Sequence, residues 1–228
     1  MSGRRPKPTL PPRQLTIVWQ SVSLLLDYPD DDLLAQADLI RSASHGLPTA
    51  IGEPIRTFLA HLESTPLPEL QADYVATFDT RRRCNLFLTY FAHGDTRKRG
   101  MALLRFKQVY LRSGFELDDG ELPDHLCVVL EFAATIDQGL GRDLMLDHRA
   151  GLELLRLSLR DAGSPWACLI DAVTATLPPL RGDERDAVSR LAAEGPPEEE
   201  VGLAPFAQPE FSPGSTLLPM PSFPGART

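Results

Sequence analysis

Two short stretches of the chain carry the same unusual charge pattern. Asp79-Thr80-Arg81-Arg82-Arg83 recurs sixteen positions later as Asp95-Thr96-Arg97-Lys98-Arg99. Asp and Thr are good helix N-caps, because their side-chain oxygens accept from the free backbone N–H groups of a first turn. Each copy then puts three cations where a helix start already carries partial positive charge, at roughly 0.3–1 kcal/mol per cation. Two helix starts loaded in this way should attract an anion: neighbouring carboxylates, a phosphate, or the acidic surface of a partner. A third stretch, Glu121-Leu122-Pro123-Asp124-His125, ends an acidic turn at 116–121 and sets a carboxylate beside an imidazole. Adjacent helical residues point about 100° apart, so these two side chains do not form a proton-transfer dyad with each other.

Other chemistry is thinly represented. Cys84, Cys127 and Cys168 are far apart, lie inside apolar helical patterns and include no CxxC pair. That reads as buried reduced thiols rather than a zinc site. His93 and His125 read as helix-end hydrogen-bonding residues rather than metal ligands. No G-x-S-x-G, P-loop or H-E-x-x-H motif is present, which argues against a hydrolase or a phosphate-handling enzyme. A net charge of −8 and a pI of 5.1 argue against a general nucleic-acid binder. Aromatics such as Phe87, Tyr90 and Phe106 interleave the basic residues, but their period places them in a core. The cationic triplets are left with two kinds of role. They can pair with the chain's own acidic turns, at 27–32 and 116–121, or they can meet an external anion.

The elements that must position these residues are helices. Leu15, Val18, Trp19, Val22, Leu25 and Leu26 follow one helical face, which Tyr28-Pro29 ends. Asp30, Asp31 and Asp32 start a second helix, and a third runs over 49–63. A short helix ends at the first Asp-Thr pair. The next carries Leu86, Phe87, Tyr90 and Phe91 and stops at Gly94. A longer one follows the second Asp-Thr pair and stops at Gly114, glycine being a natural residue just past a helix end. Pro123 suits a first helical position, ahead of an almost wholly apolar helix that reads as the centre of a bundle. Helices over 142–162 and 165–177 follow, with a weaker one over 183–193. No run reads as a strand. The expectation is one all-α domain of eight to ten helices, 14–193, between a disordered, basic, Pro-rich start (1–13) and a disordered, acidic, Pro-rich tail (194–228). Arg4-Arg5 is followed by prolines rather than an apolar segment, which argues against a signal peptide. The longest apolar runs fall short of the roughly 20 residues of a membrane span. A soluble, cytoplasmic protein is expected.

The stretch 78–134 is similar to the NarJ-type nitrate reductase molybdenum cofactor assembly chaperones, also called the delta subunit. His93-Gly94-Asp95-Thr96-Arg97-Lys98-Arg99-Gly100 and Glu121-Leu122-Pro123-Asp124-His125-Leu126 carry the match, and LLLDYPDDDLL at 24–34 fits the family's first helix pair. Cys127 stands where many relatives have proline. The resemblance covers about 14–180 and extends to the wider group of TorD/DmsD-like redox-enzyme maturation chaperones. It implies an all-helical TorD-like fold and a chaperone with no catalysis of its own. The implied partner is the apo catalytic alpha subunit of a respiratory nitrate reductase, especially its N-terminal segment, held ready for molybdenum cofactor insertion before membrane docking. Cofactor-delivery proteins are further partners it suggests; nucleic acid is not one. The alternatives are a chaperone for another molybdoenzyme and a helical adaptor. Glu121, Pro123, Asp124, His125, Arg97 and Arg99 are the candidate partner-binding residues, with Asp124 and His125 expected to be removable without disturbing the fold. No cofactor is expected to stay bound. Transient contact with the molybdenum guanine dinucleotide cofactor is assigned to Arg81, Arg82, Arg83 and Lys98, since its pyrophosphate suits a cationic helix start.

Overall fold

Apolar residues at helical spacing give eleven α-helices among residues 10–118 and 120–194, the residues that the computed structural model describes. Helix α1 (Pro12–Leu25) opens on a proline, whose locked φ suits a first turn. It buries Leu15, Val18, Trp19, Val22 and Leu25, as their spacing predicts. Helix α2 (Asp31–Ser44) is capped by Asp30, whose carboxylate accepts from the Leu33 N–H at 2.8 Å. Helices α3 (Thr49–Ser64) and α4 (Leu67–Tyr74) follow. A one-turn α5 (Tyr90–His93) precedes the long α6 (Arg97–Arg112). The remainder is α7 (Leu126–Thr135), α8 (Gln138–Asp147), α9 (Arg149–Asp161), α10 (Ala167–Ala175) and α11 (Gly182–Glu194). The all-α expectation holds among these residues.

The core lies where α1 packs on α7 and α10, with α3 and α9 against α10. Helix α7 buries seven of its ten residues, Leu126 to Leu130 with Phe132 and Ala133, as an apolar-all-round helix must. The Trp19 indole donates to the Thr176 hydroxyl at 3.0 Å, satisfying a polar atom at the centre. Phe58, Tyr74 and Phe78 surround Trp166, with ring centroids 5.6, 5.9 and 5.6 Å away. On the α9–α10 side, buried Glu153 accepts from Arg149 at 2.7 Å and Arg156 at 2.6 Å, and Asp171 of α10 holds Arg160 at 2.8 Å.

Three expectations are corrected. The helix expected after Asp79 forms only in its last turn, α5. A π-turn (Val75–Asp79) and a 3-10 turn (Arg82–Cys84) lead instead into extended chain. The cause is where its backbone groups go. The Asn85 side chain accepts from the Phe87 N–H at 2.6 Å. Leu88 N–H donates to Asp124 O at 3.0 Å, and Leu126 N–H to Leu86 O at 2.9 Å, making an isolated antiparallel bridge between Phe87 and His125. Leu86 and Leu88 are buried and Phe87 half-buried, which is the period of two of extended chain. Second, Pro123 and Asp124 lie ahead of α7, which begins at Leu126 with His125 as its N-cap. Third, the single helix expected over 142–162 breaks at His148, whose ring bonds the Leu144 carbonyl at 3.0 Å and packs 5.1 Å from Phe106. That break and the one-turn α5 bring the count to eleven. Gly94 (φ 56°) and Gly114 (φ 72°) end α5 and α6 at positive φ, which glycine adopts without strain, as read from the sequence. The expected disordered ends lie mostly outside the described residues, although Pro12 and Arg13 already belong to α1 and Glu194 to α11.

Candidate functional site

The site is built by clamping two irregular segments together. Asp124 is 0% exposed. Its carboxylate accepts from the Thr89 N–H at 3.1 Å and the Thr89 hydroxyl at 2.5 Å. Arg99 reaches in from the first turn of α6. It donates to the Thr89 hydroxyl at 3.3 Å, and its Nη2 stands 3.7 Å from the Asp124 carboxylate. The guanidinium also lies 5.3 Å from the Phe87 ring centroid and 6.0 Å from that of Tyr90, within cation–π range. From the far side Tyr110 donates to the Pro123 carbonyl at 2.7 Å. Burial, reinforced by the Asp124 charge, pushes the Tyr110 phenol far up, so it remains a donor. The bridge and this knot together place the Phe87 and His125 rings edge to face, 5.1 Å apart.

Those two rings form one wall of a cleft of about 400 Å³. Gln20, Ser23 and Leu24 of α1, with Asp27 beyond it, form a second side. Cys127, Val128 and Glu131 of α7 form the floor, and Gly120, Glu121 and Leu122 the rim. The Ser23 hydroxyl ties the walls by donating to the Cys127 carbonyl at 2.8 Å. Three carboxylates, Asp27, Glu121 and Glu131, line this one space. Burial, then Asp27, Glu131 and Asp118, pushes the Glu121 carboxyl up. Burial pulls His125 down, against the opposing pull of Asp27 and Asp124, so its imidazole is neutral at pH 7. Burial, with Asp27 and Glu121, pushes the Cys127 thiol well up, which makes it a protonated wall and not a nucleophile. The cleft therefore combines apolar surface with uncompensated negative charge, suited to a guest that is apolar on one face and cationic at its edges.

The candidate residues separate into three groups. Glu121 and His125 line the cleft. Pro123, Asp124 and Arg99 lie beneath or behind it and hold its wall. Arg97 and Lys98 are exposed at the start of α6, and Arg81, Arg82 and Arg83 are exposed on the 3-10 segment. The two cationic repeats are thus not twin helix starts. Only the second opens a helix, and its Thr96 hydroxyl donates to His93 O at 2.8 Å instead of capping. Arg99 pairs with Asp95, at 3.4 Å, and with Asp124, and not with either acidic turn, which is the internal form of the two roles open to it. Asp124 is no exposed contact residue. Phe87, Ser23 and Glu131 also line the cleft, although nothing in the sequence marks the first two as site residues. Glu131 had a signal: it is the single charge in the ten-residue sequence of α7. Cys84 and Cys127 are buried free thiols and Cys168 is half-buried.

Among the described residues no group of three or more His, Cys, Asp or Glu is arranged to hold a metal ion. No described helix is long and apolar enough to cross a membrane. Comparison with known proteins gives a match of residues 44–170 to the family model described as "Nitrate reductase delta subunit". The "Nitrate reductase-like protein NarX" of Mycobacterium tuberculosis is 40% identical over 162 residues, 70% of this chain. The match spans only 24% of that relative's length. The "Probable nitrate reductase molybdenum cofactor assembly chaperone NarJ" of Bacillus subtilis is 35% identical over 170 residues, covering 72% of this chain and 89% of that one. The "Nitrate reductase molybdenum cofactor assembly chaperone NarJ" of Escherichia coli (strain K12) is 34% identical over 153 residues, 66% of this chain and 65% of that protein.

Proposed function

The chain belongs to the nitrate reductase delta subunit family, and from that premise we propose that it is an assembly chaperone, not an enzyme, for the catalytic alpha subunit of a nitrate reductase. In this reading it acts in the cytoplasm, binds the apo subunit by its N-terminal segment, and holds it ready for the molybdenum cofactor before the enzyme docks on its membrane partner. The cofactor is cargo for the client and not a resident of the chaperone.

The observation that carries this reading is the acidic, apolar-walled cleft. An amphipathic helix with a basic edge meets both of its properties, since apolar side chains fill the space over Leu24, Phe87 and Val128 while cations face Asp27, Glu121 and Glu131. The test is calorimetric titration of the full chain with a synthetic peptide of the client's N-terminal segment. Glu121→Gln combined with Glu131→Gln is expected to weaken binding about tenfold, from two charge pairs at roughly 0.5–1 kcal/mol each. Arg81→Gln with Arg83→Gln, on a segment outside the cleft, should leave the affinity unchanged. An affinity indifferent to the two glutamates would remove the cleft from the proposal.

A further inference from the structure

Helix α6 is amphipathic twice over. Its inner face buries Ala102, Phe106 and Tyr110 against the core. Its outer face leaves Met101 at 67%, Leu104 at 45% and Leu111 at 62% exposed, on one line along the helix. Beside Leu111 a hollow of about 280 Å³, lined by Tyr110, Phe115 and Leu117 with Lys107 and Glu116 at its edges, continues past the end of the helix. Lys98, Arg105 and Arg112, spaced seven apart, run along one flank of the ridge, and Lys107 stands on the other. The helix holds six cations and no acid in sixteen residues, within a chain of net charge −8. Segregation on that scale is not needed for folding, because large apolar side chains and like charges on one exposed face both raise the cost of the free state.

We infer that the outer face of α6 is a docking surface for an anionic lipid membrane, on which the chain lies as a peripheral protein. The shape favours lipid over a protein partner. The face is a convex ridge with long cationic side chains on both sides, so the apolar residues can enter the acyl boundary while the cations remain at headgroup level. Glu116 and Asp118 follow the helix, so the cationic face ends with α6. This inference rests on α6 alone and is independent of the client reading.

The test is co-sedimentation of the full chain with vesicles of phosphatidylglycerol and phosphatidylethanolamine, and separately with vesicles of phosphatidylcholine. Binding to the anionic vesicles and about tenfold weaker binding to the neutral ones is expected. Lys98→Glu with Arg105→Glu and Arg112→Glu should abolish it, and Leu104→Ser with Leu111→Ser should reduce it about tenfold. All five positions are exposed, and unchanged circular dichroism and client-peptide affinity would show each variant folded. Absence of binding to the anionic vesicles overturns the inference, as does binding that neither variant alters. So does binding, at this face, of an acidic amphipathic helical peptide in preference to the vesicles, which would assign the face to a protein.

Discussion

Asp124 shows how a residue can matter to a binding site that it never touches. It has no exposed surface, yet its carboxylate holds Thr89 and faces Arg99, and so fixes the segment that carries Phe87 against the one that carries His125. Replacing it by alanine leaves the Thr89 donors without an acceptor and Arg99 without its inner partner. We expect Asp124→Ala to destabilise the fold by about 2–4 kcal/mol, less than for a wholly buried pair because the Arg99 side chain keeps 17% of its surface in solvent. Asp124→Asn, which retains an accepting oxygen, should lose less. Urea unfolding measures both, and a loss under about 0.5 kcal/mol for alanine would show that the knot does not hold the fold together. At this scale the sequence showed that Glu121, Asp124 and His125 belong together but not which of them faces solvent. Burial depends on Thr89 and Arg99, which meet Asp124 only in three dimensions.

Helix period made most elements legible, because α1, α2, α3, α6 and α7 each bury one recurring face or nearly all of their surface. It misled at 85–90. There Leu86, Phe87, Tyr90 and Phe91 fit a helix equally well, and only the backbone partners offered by Leu126 and Asp124 decide for extended chain. The glycines of α8 had no reading from sequence, and packing supplies one. A Cβ on Gly141 would stand 2.4 Å from Ala133 Cβ and 2.6 Å from its Cα, so α7 and α8 cross with their backbones nearly touching. Gly141→Ala should therefore force the helices apart, at about 1–3 kcal/mol. Gly139→Ala in the same helix meets nothing nearer than an Asp137 oxygen at 3.4 Å and should cost nothing or stabilise slightly. Thermal unfolding of the two variants separates them. Equal stability would mean that the α7–α8 crossing adapts freely. Ala133→Gly should recover part of the loss at Gly141, because it removes the Cβ in the way.

Across the whole molecule the net charge of −8 hides two surfaces of opposite sign. Asp27, Glu121 and Glu131 come from three separated parts of the chain and meet in one cleft, whereas the six cations of α6 all lie on one helix. This is why the basic feature could be read whole from the sequence, whereas the acidic turns at 27–32 and 116–121 could be read only apart: a helix displays its own charges, but a cleft between α1 and α7 needs the fold. The cluster also sets an expectation for the client that apolar walls alone do not. Three carboxylates close enough for Asp27 and Glu131 to raise Glu121 form a field that a cationic guest relieves. Salt must weaken that contribution. Raising ionic strength from about 0.05 M to about 0.5 M shortens the Debye length from roughly 14 Å to roughly 4 Å. Client-peptide affinity should fall about three- to tenfold across that range, with the Glu121→Gln, Glu131→Gln variant showing a much flatter dependence. Titrations at several salt concentrations decide it. If wild type and variant respond alike, the carboxylates do not meet the guest's charge, and the guest is held by Leu24, Phe87 and Val128 alone.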